Sequence, residues 1–559
     1  MIPSLYRLIL QAYAHTSHLL FGDFVIPSEE GLQRGDPLAP ALYCLVTQPI
    51  IVDLKSKLNA AYLDDESLAD KASVVAADLR KILSRSSAVG LELNPAKCEL
   101  YVLNNSDPEA LTEIVQLLPG IQILESSELE LLGAPLTAEA LPSALEAKIA
   151  EVRRLAMRLP LLKSRAALFL LKNCLSIPKM VYLLRCVPSW KAPTQLDSFD
   201  AVMREALESI TNGSMDDSVW AQACLPVARG GLGIRSAQQL SVPAFLASVA
   251  STEKLVSAIL GSPQEDPDRP EALALWSDMT NSSQEPTTNL QSDWDRPVLD
   301  KLSVSLLTKA QTPKDKARIL ASCRKEAGGW LNALPSPNLG TLLDDSTTSI
   351  AVGLRLGLPL CHPHCCRGCR DTIDLSGTHG LSCPKVAPQG RNPRHSEINN
   401  LLKRGCGSAN IPAILEPAGT FRDDGKKPDG LSLIPWSKGK CLLWDSTCAD
   451  TLAASYLTST SKSAGAAAQS RESEKRRKYA GVTGHYKFVP FGVETMGPFG
   501  TESLALVKDL GRRIKVATGE PRSESFLVQR ISLAIQRGNA ACVLATIPQY
   551  SKLHDIYHI

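Results

Sequence analysis

The chain has almost no net charge: 60 Lys and Arg against 58 Asp and Glu leave +2 over 559 residues. A basic field over the whole surface is therefore excluded, and any contact with nucleic acid must come from local clusters. Long apolar runs are also lacking. Nothing approaches the roughly 18 residues that span a bilayer, and the apolar stretch around Leu8 to Phe21 is broken by Gln, His and Ser, so no membrane segment is expected. No signal peptide is read at the N-terminus. The fifteen cysteines are then expected as free thiols in a reducing, intracellular compartment, with one metal site among them and no disulfides. There is no internal repeat, and no nuclear address apart from the basic run Lys475-Arg476-Arg477-Lys478, which has another use below.

Hydrophobic residues at 44% and charged residues at 21% are values of a chain able to build cores. At this length several structural units are expected. Residues 1–140 alternate strand-like and helix-like runs, such as Leu19 to Ile26, Ala39 to Leu58 and Lys97 to Leu103. Residues 141–260 have helical apolar spacing, as in Leu145, Ile149, Val152, Leu155 and Leu168, Leu171, Leu175. Pro, Ser, Asn and acidic residues crowd the stretch from Gly261 to Asp295, which predicts an exposed connector opening a linker over 261–358. A Cys/His segment follows over 359–390, and α/β patterning returns over 391–559. There, strand-like runs cover Ser432 to Ile434, Cys441 to Trp444 and Lys487 to Val493, and Ser455 to Ser473 reads as a loop or a polar helix start.

In the first segment, Gly31-Leu32-Gln33-Arg34-Gly35-Asp36-Pro37-Leu38 is a turn-rich opening to an apolar helix, with Asp36 placed as an N-cap and Pro37 in the first turn. Ala61-Tyr62-Leu63-Asp64-Asp65 sets two adjacent carboxylates in a strand-favouring context, as a hairpin tip would. Gly90 to Cys98 and Leu131-Leu132-Gly133-Ala134-Pro135 follow. In this order the four motifs resemble the palm of a reverse transcriptase, closest to the polymerases of non-LTR retrotransposons. Gly230-Gly231-Leu232-Gly233-Ile234-Arg235-Ser236 is similar to a phrase found after the thumb in that family. The resemblance implies that Asp64 and Asp65 hold Mg²⁺ (or Mn²⁺), while Gln33, Gly35, Asp36, Pro37, Tyr62 and Lys97 meet nucleotide and template. It also implies RNA and DNA as partners and a nuclear location. The family's first palm aspartate has no match here except the weak candidate Asp23, and the fingers are not recognised, so this chain alone is expected to polymerise poorly or not at all.

Cys366-x2-Cys369-x9-His379-x3-Cys383 offers three thiolates and one imidazole, a donor set for tetrahedral Zn²⁺. Gly377 and Gly380 beside His379 permit a tight turn, while Cys361, His364 and Cys365 compete as ligands. The segment resembles the Cys-Cys-His-Cys cluster between polymerase and nuclease in restriction-like retrotransposon proteins.

In Lys427-Pro428-Asp429-Gly430 through Leu442-Leu443-Trp444-Asp445, two apolar runs flank a turn-like Ser437-Lys438-Gly439. If Leu431 pairs with Leu443, the hairpin centres near Ser437, and Asp429 faces Asp445 with Cβ atoms about 5 Å apart. Two carboxylates so placed can start a divalent-cation site for phosphodiester hydrolysis, with Glu416 and a lysine to complete it. The pattern resembles the PD-(D/E)xK endonucleases in the form carried by site-targeting retrotransposons. Asp445-Ser446-Thr447 has Thr at the motif's lysine position. The resemblance implies that the lysine comes from the later run ending in Lys-Tyr, as Lys475 or Lys478, leaving Arg476 and Arg477 for DNA phosphate. His395, Glu397 and Glu494 are weaker candidates.

The expected fold class is therefore multidomain α+β: a partial reverse-transcriptase palm, a helical thumb and linker block, a zinc-knuckle-like segment and an α/β restriction-endonuclease-like domain. The expected function is metal-dependent DNA nicking by a retrotransposon-derived protein. The alternatives are an inactive nucleic-acid-binding remnant, and a piece of a longer, active polymerase.

Overall fold

The computed structural model describes residues 3–29, 31–33, 35–104, 107–418 and 427–547. Arg34 of the glycine-led loop lies outside them. The architecture is mixed α+β with small sheets and a Cys/His cluster, and it divides into two compact units: 1–131 with 137–140, and 132–136 with 141–559.

In the first unit the described strands form separate two-stranded ribbons, not one continuous sheet. Ser17–Phe21 pairs with Phe24–Ser28, and Leu58–Tyr62 with Asp65–Ala69, both antiparallel. Its small core lies between the helices Ala72–Ala88 and Pro108–Leu117, where Ala76, Leu79, Ile114 and Leu118 are buried together. Asp107 caps the second helix, its Oδ1 accepting the Ala110 N–H at 3.1 Å ahead of Pro108 in the first turn.

Asp78, fully buried on the first of these helices, ties down an incoming loop. It accepts from the Lys55 and Ser56 N–H groups at 2.6 and 2.8 Å, the Ser56 hydroxyl at 2.9 Å and Lys81 Nζ at 2.9 Å. Burial alone would raise this carboxyl; Lys81 and the Ser56 and Lys55 donors outweigh it and hold it at about 2.

The second unit opens with the helical block. Leu145, Ile149, Val152, Leu168 and Leu171 are buried in one core with Leu196, Phe199, Leu207, Leu240 and Trp330. The helical stretches Ser164–Cys186 and Ala237–Leu260 are long and apolar enough to cross a bilayer by length and composition, although neither is an unbroken apolar run. Both contribute to this core, so part of their apolarity is used inside the fold. The expected connector from Gly261 to Asp295 also differs. It holds a helix, Arg269–Thr280, and the start of another, Gln291–Lys309. Trp276 and Trp294 are buried edge to face with centroids 5.4 Å apart, and Trp276 Nε1 donates to the Trp294 carbonyl at 2.9 Å.

The C-terminal part is a four-stranded mixed sheet with helices on both faces. In chain order its elements are α1 (Arg391–Ser408), β1 (Ala413–Leu415), β2 (Gly430–Ser437), β3 (Lys440–Ala449), α2 (Ala466–Lys478), β4 (Lys487–Glu494), α3 (Thr501–Thr518) and α4 (Ser523–Leu544). The stretch from Ser455 to Ser473, read as a loop or a polar helix start, is largely helical, holding Ala454–Thr460 and most of α2. The strand order is β1-β2-β3-β4, antiparallel except for the parallel β3–β4 pair. Alternation along β3 sends Leu442 and Trp444 to a core with Ile398, Leu402, Leu510 and Ile531. Leu443 goes to the opposite face, with Tyr479 and Phe488. Thus α1, α3 and α4 cover one face and the end of α2 covers the other.

Because Asp78 sits below the unfolded carboxyl value of about 3.9, its stabilisation is present above that pH and is lost as pH falls toward about 2. Asp78→Asn should destabilise the first unit by about 2 kcal/mol at neutral pH. The check is hydrogen-exchange protection of Ala72–Ala88 in the full chain; unchanged protection would contradict the assignment.

Candidate functional site

The β2–β3 ribbon forms with Gly430 opposite Trp444 and Leu431 opposite Leu443. Its tip falls within the expected Ser437-Lys438-Gly439 turn, just past Ser437. The register shifts twice toward the tip, Ser437 pairs with Lys440, and the turn is Lys438-Gly439, both at positive φ. These irregularities lie beyond Leu431 and leave the open end undisturbed. There Asp429 donates its N–H to the Trp444 carbonyl at 3.0 Å, which sets it beside Asp445. Its carboxylate Oδ2 accepts the Ser446 N–H at 2.6 Å.

Asp445 is buried, and its Oδ1 accepts from Lys475 Nζ at 2.6 Å. Two buried carboxylates fix the helix that brings Lys475 there. Glu494, at the end of β4, accepts the Ala467 and Ala468 N–H groups at 2.9 and 3.2 Å, satisfying the first turn of α2. One turn before Lys475, Glu472 accepts the Ser503 N–H and hydroxyl at 2.9 and 2.6 Å and the Glu502 N–H at 3.1 Å, capping α3. Burial raises both carboxyls, and these hydrogen bonds counter part of that rise.

From the other face of the sheet, His395 on α1 puts Nε2 3.0 Å from Asp429 Oδ2 and 3.3 Å from the Ser446 carbonyl. The Asp429 hydrogen bond and charge raise the imidazole against the effect of burial. Burial pushes the Asp429 carboxyl up, but His395, the Ser446 N–H and the Lys475 charge outweigh it and hold the group below its ordinary value. Asn399, one turn along α1 and buried, accepts from Trp444 Nε1 at 3.1 Å and the Ser446 hydroxyl at 2.6 Å.

Of the two candidate lysines, Lys475 reaches Asp445, while Lys478 Nζ lies 5.5 Å from the Tyr479 ring centroid. The Arg476 guanidinium pairs with Glu502 and lies over the Phe488 ring while staying partly exposed, and Arg477 is exposed. Glu416 donates its backbone N–H to the Asp429 carbonyl at 3.0 Å, but its side chain is exposed and bonds to neither acid. Glu397 pairs with Arg404 at 3.0 Å. Asn399 and Glu472 escaped the sequence reading. His395 and Asn399 share a helix face at i and i+4, but only the strand they dock on gives them a role.

The Cys/His cluster is compact. Among the described residues it is the only set of three or more His, Cys, Asp or Glu side chains whose ligand atoms lie within 4.8 Å of one another, and its members are Cys366, Cys369, His379 and Cys383. Cys369 Sγ is 3.1 Å from His379 Nε2. Burial would raise the Cys366 thiol, but the Cys369 and Gly368 N–H groups aimed at it hold it below its ordinary value. The competitors are engaged elsewhere or exposed: His364 Nε2 contacts Thr546 Oγ1 at 3.1 Å, Cys361 Sγ faces the Asp374 carbonyl and Cys365 is exposed. Gly377 takes φ +62°, and a Cβ on Gly380 would meet the Cys542 carbonyl of α4 at 2.4 Å. This donor set could bind a metal such as zinc.

In the first unit, Asp64 and Asp65 stand exposed where Tyr62 pairs with Asp65 across the turn. Tyr62 and Lys97 are exposed. Asp23 lies in the turn between the first two strands and is not on a strand. Asp36 is not the helix N-cap, because the helix begins at Ala39. It accepts from the Leu38 N–H at 2.9 Å and from the Tyr13 hydroxyl, and that hydroxyl bond first and the N–H second lower its carboxyl. Gln33 donates to Ser17 Oγ at 2.6 Å, Gly35 has φ +90° and Pro37 is exposed. Comparison with protein-family models and with curated proteins found no match to this chain.

For the Cys/His centre, the purified chain should carry about one Zn²⁺ by elemental analysis. Cys366→Ser or Cys383→Ser should lose it, while Cys361→Ser and Cys365→Ser keep it. Loss in the second pair alone would give the site to a different ligand set.

Proposed function

We propose that this is a retrotransposon-derived protein whose chemistry is metal-dependent nicking of DNA at Asp429, Asp445 and Lys475. The reading rests on the motif resemblance and is carried by one observation above all: an ammonium from a helix 30 residues away meets Asp445 at 2.6 Å beside Asp429.

The donor chemistry fits a hard divalent cation, Mg²⁺ or Mn²⁺. Asp429 commits Oδ2 to His395 and Ser446, and Asp445 commits Oδ1 to Lys475. In each acid the other oxygen carries no hydrogen bond from these partners, which gives two hard donors on neighbouring strands. A bound ion would supply charge to the phosphate and acidify a water. Lys475, held by Asp445 through one of its three N–H donors, would turn the others to the phosphate and neutralise charge as the oxyanion develops. Exposed Arg477 and the partly exposed Arg476 are the arginines of this run that would meet the DNA backbone.

In this reading the first unit binds nucleic acid without extending it, since the family's first palm aspartate has no match on a strand: Asp23 lies in the turn between the first two strands. A second reading, an inactive nucleic-acid-binding remnant, is favoured by Thr447, which stands at the motif's lysine position. Nicking of supercoiled plasmid with Mn²⁺ separates the two. Lys475→Met should cost roughly 10²-fold or more, and Asp445→Asn should fall to background in protein of unchanged melting temperature. Equal nicking by wild type and Asp445→Asn would reject the site.

A further inference from the structure

We propose that His395 is the positioning residue of this site: its Nε2–H locks the Asp429 carboxylate so that Oδ1 alone faces the cation. The inference deepens the nuclease reading and rests on it.

Asp429 Oδ2 already accepts the Ser446 N–H at 2.6 Å, and His395 Nε2 approaches the same oxygen at 3.0 Å. With both donors on Oδ2, rotation of the carboxylate would break two hydrogen bonds at once. The orientation of the ring is set one layer further out. Asn399 Oδ1 receives Trp444 Nε1 and the Ser446 hydroxyl, so its amide cannot turn over without setting its NH₂ against the indole N–H. The NH₂ is thereby left facing His395 Nδ1, at 3.4 Å. Nδ1 facing a donor is an acceptor, so the ring proton sits on Nε2, where Asp429 needs it. Ser446 closes the circuit: its N–H holds Asp429, its hydroxyl holds Asn399, and its carbonyl lies 3.3 Å from the same Nε2.

His395 touches no reacting atom in this account; it acts through Asp429. Such outer partners of a ligating group typically govern metal affinity by about 10–100-fold. The position of the donor atom gives a specific test. A glutamine side chain carries its amide nitrogen about as far from the backbone as imidazole Nε2, whereas asparagine carries it near Nδ1.

Mn²⁺ binding to the zinc-loaded full chain, followed by the loss of the free-ion EPR signal, reads the effect without turnover. His395→Ala and His395→Asn should weaken binding by about 10-fold or more, with His395→Gln staying close to wild type. Wild-type binding by His395→Asn or His395→Ala would overturn the proposal, as would a loss in His395→Gln equal to that in His395→Ala. Failure of the wild type to bind Mn²⁺ would overturn the nuclease reading itself, and the proposal with it.

Discussion

The contact between Lys475 and Asp445 depends on almost everything else in the C-terminal sheet. Asp445 faces α2 only because β3 alternates, with Trp444 and Ser446 turned to α1. Lys475 arrives only because Glu494 holds the start of α2 and Glu472 locks its middle against α3. Each of those carboxylates is buried and stays so by satisfying helix N–H groups that would otherwise lack partners. A shift of one residue in β3 would exchange its two faces and part the amine from the acid.

The open end of the ribbon was legible in the sequence because the pairing of Leu431 with Leu443 follows from symmetry about Ser437, and the bulges that move the turn lie beyond it. The choice between Lys475 and Lys478 was not legible, since both lie on the same exposed-looking basic run and the packing of Glu472 decides which one turns inward. Where Glu416 would stand was not legible: its backbone is at positive φ and its N–H, not its exposed side chain, meets Asp429. The four members of the Cys/His group were legible from their spacing, but the place of His364 outside it depends on Thr546, nearly two hundred residues on. The stretch from Gly261 was misread because Pro, Ser and acidic residues mask Trp276 and Trp294, which anchor it. The strand-favouring run around Tyr62-Leu63-Asp64-Asp65 made the hairpin there legible, yet the strands around it form separate ribbons and not the continuous sheet that a palm would need.

The Cys/His centre is built into the second unit and is not a detached bead. Arg367 donates its N–H to the Thr546 carbonyl at 3.0 Å, and the cluster shares a small core with Ala545 just past α4. The same helix reaches the helical block, where Ser532 Oγ accepts the Trp330 N–H at 3.1 Å. Helix α4 thus touches the helical core, the Cys/His centre and the sheet that carries the acids, so a metal at the centre would stiffen the shared helix.

The most direct measurement is the anomalous difference map of crystals of the full chain soaked in Mn²⁺. The account predicts a peak within about 2.5 Å of both Asp429 Oδ1 and Asp445 Oδ2, with Lys475 still on Asp445 Oδ1. A map with no density shared by the two acids, or with Lys475 turned away from them, would contradict it.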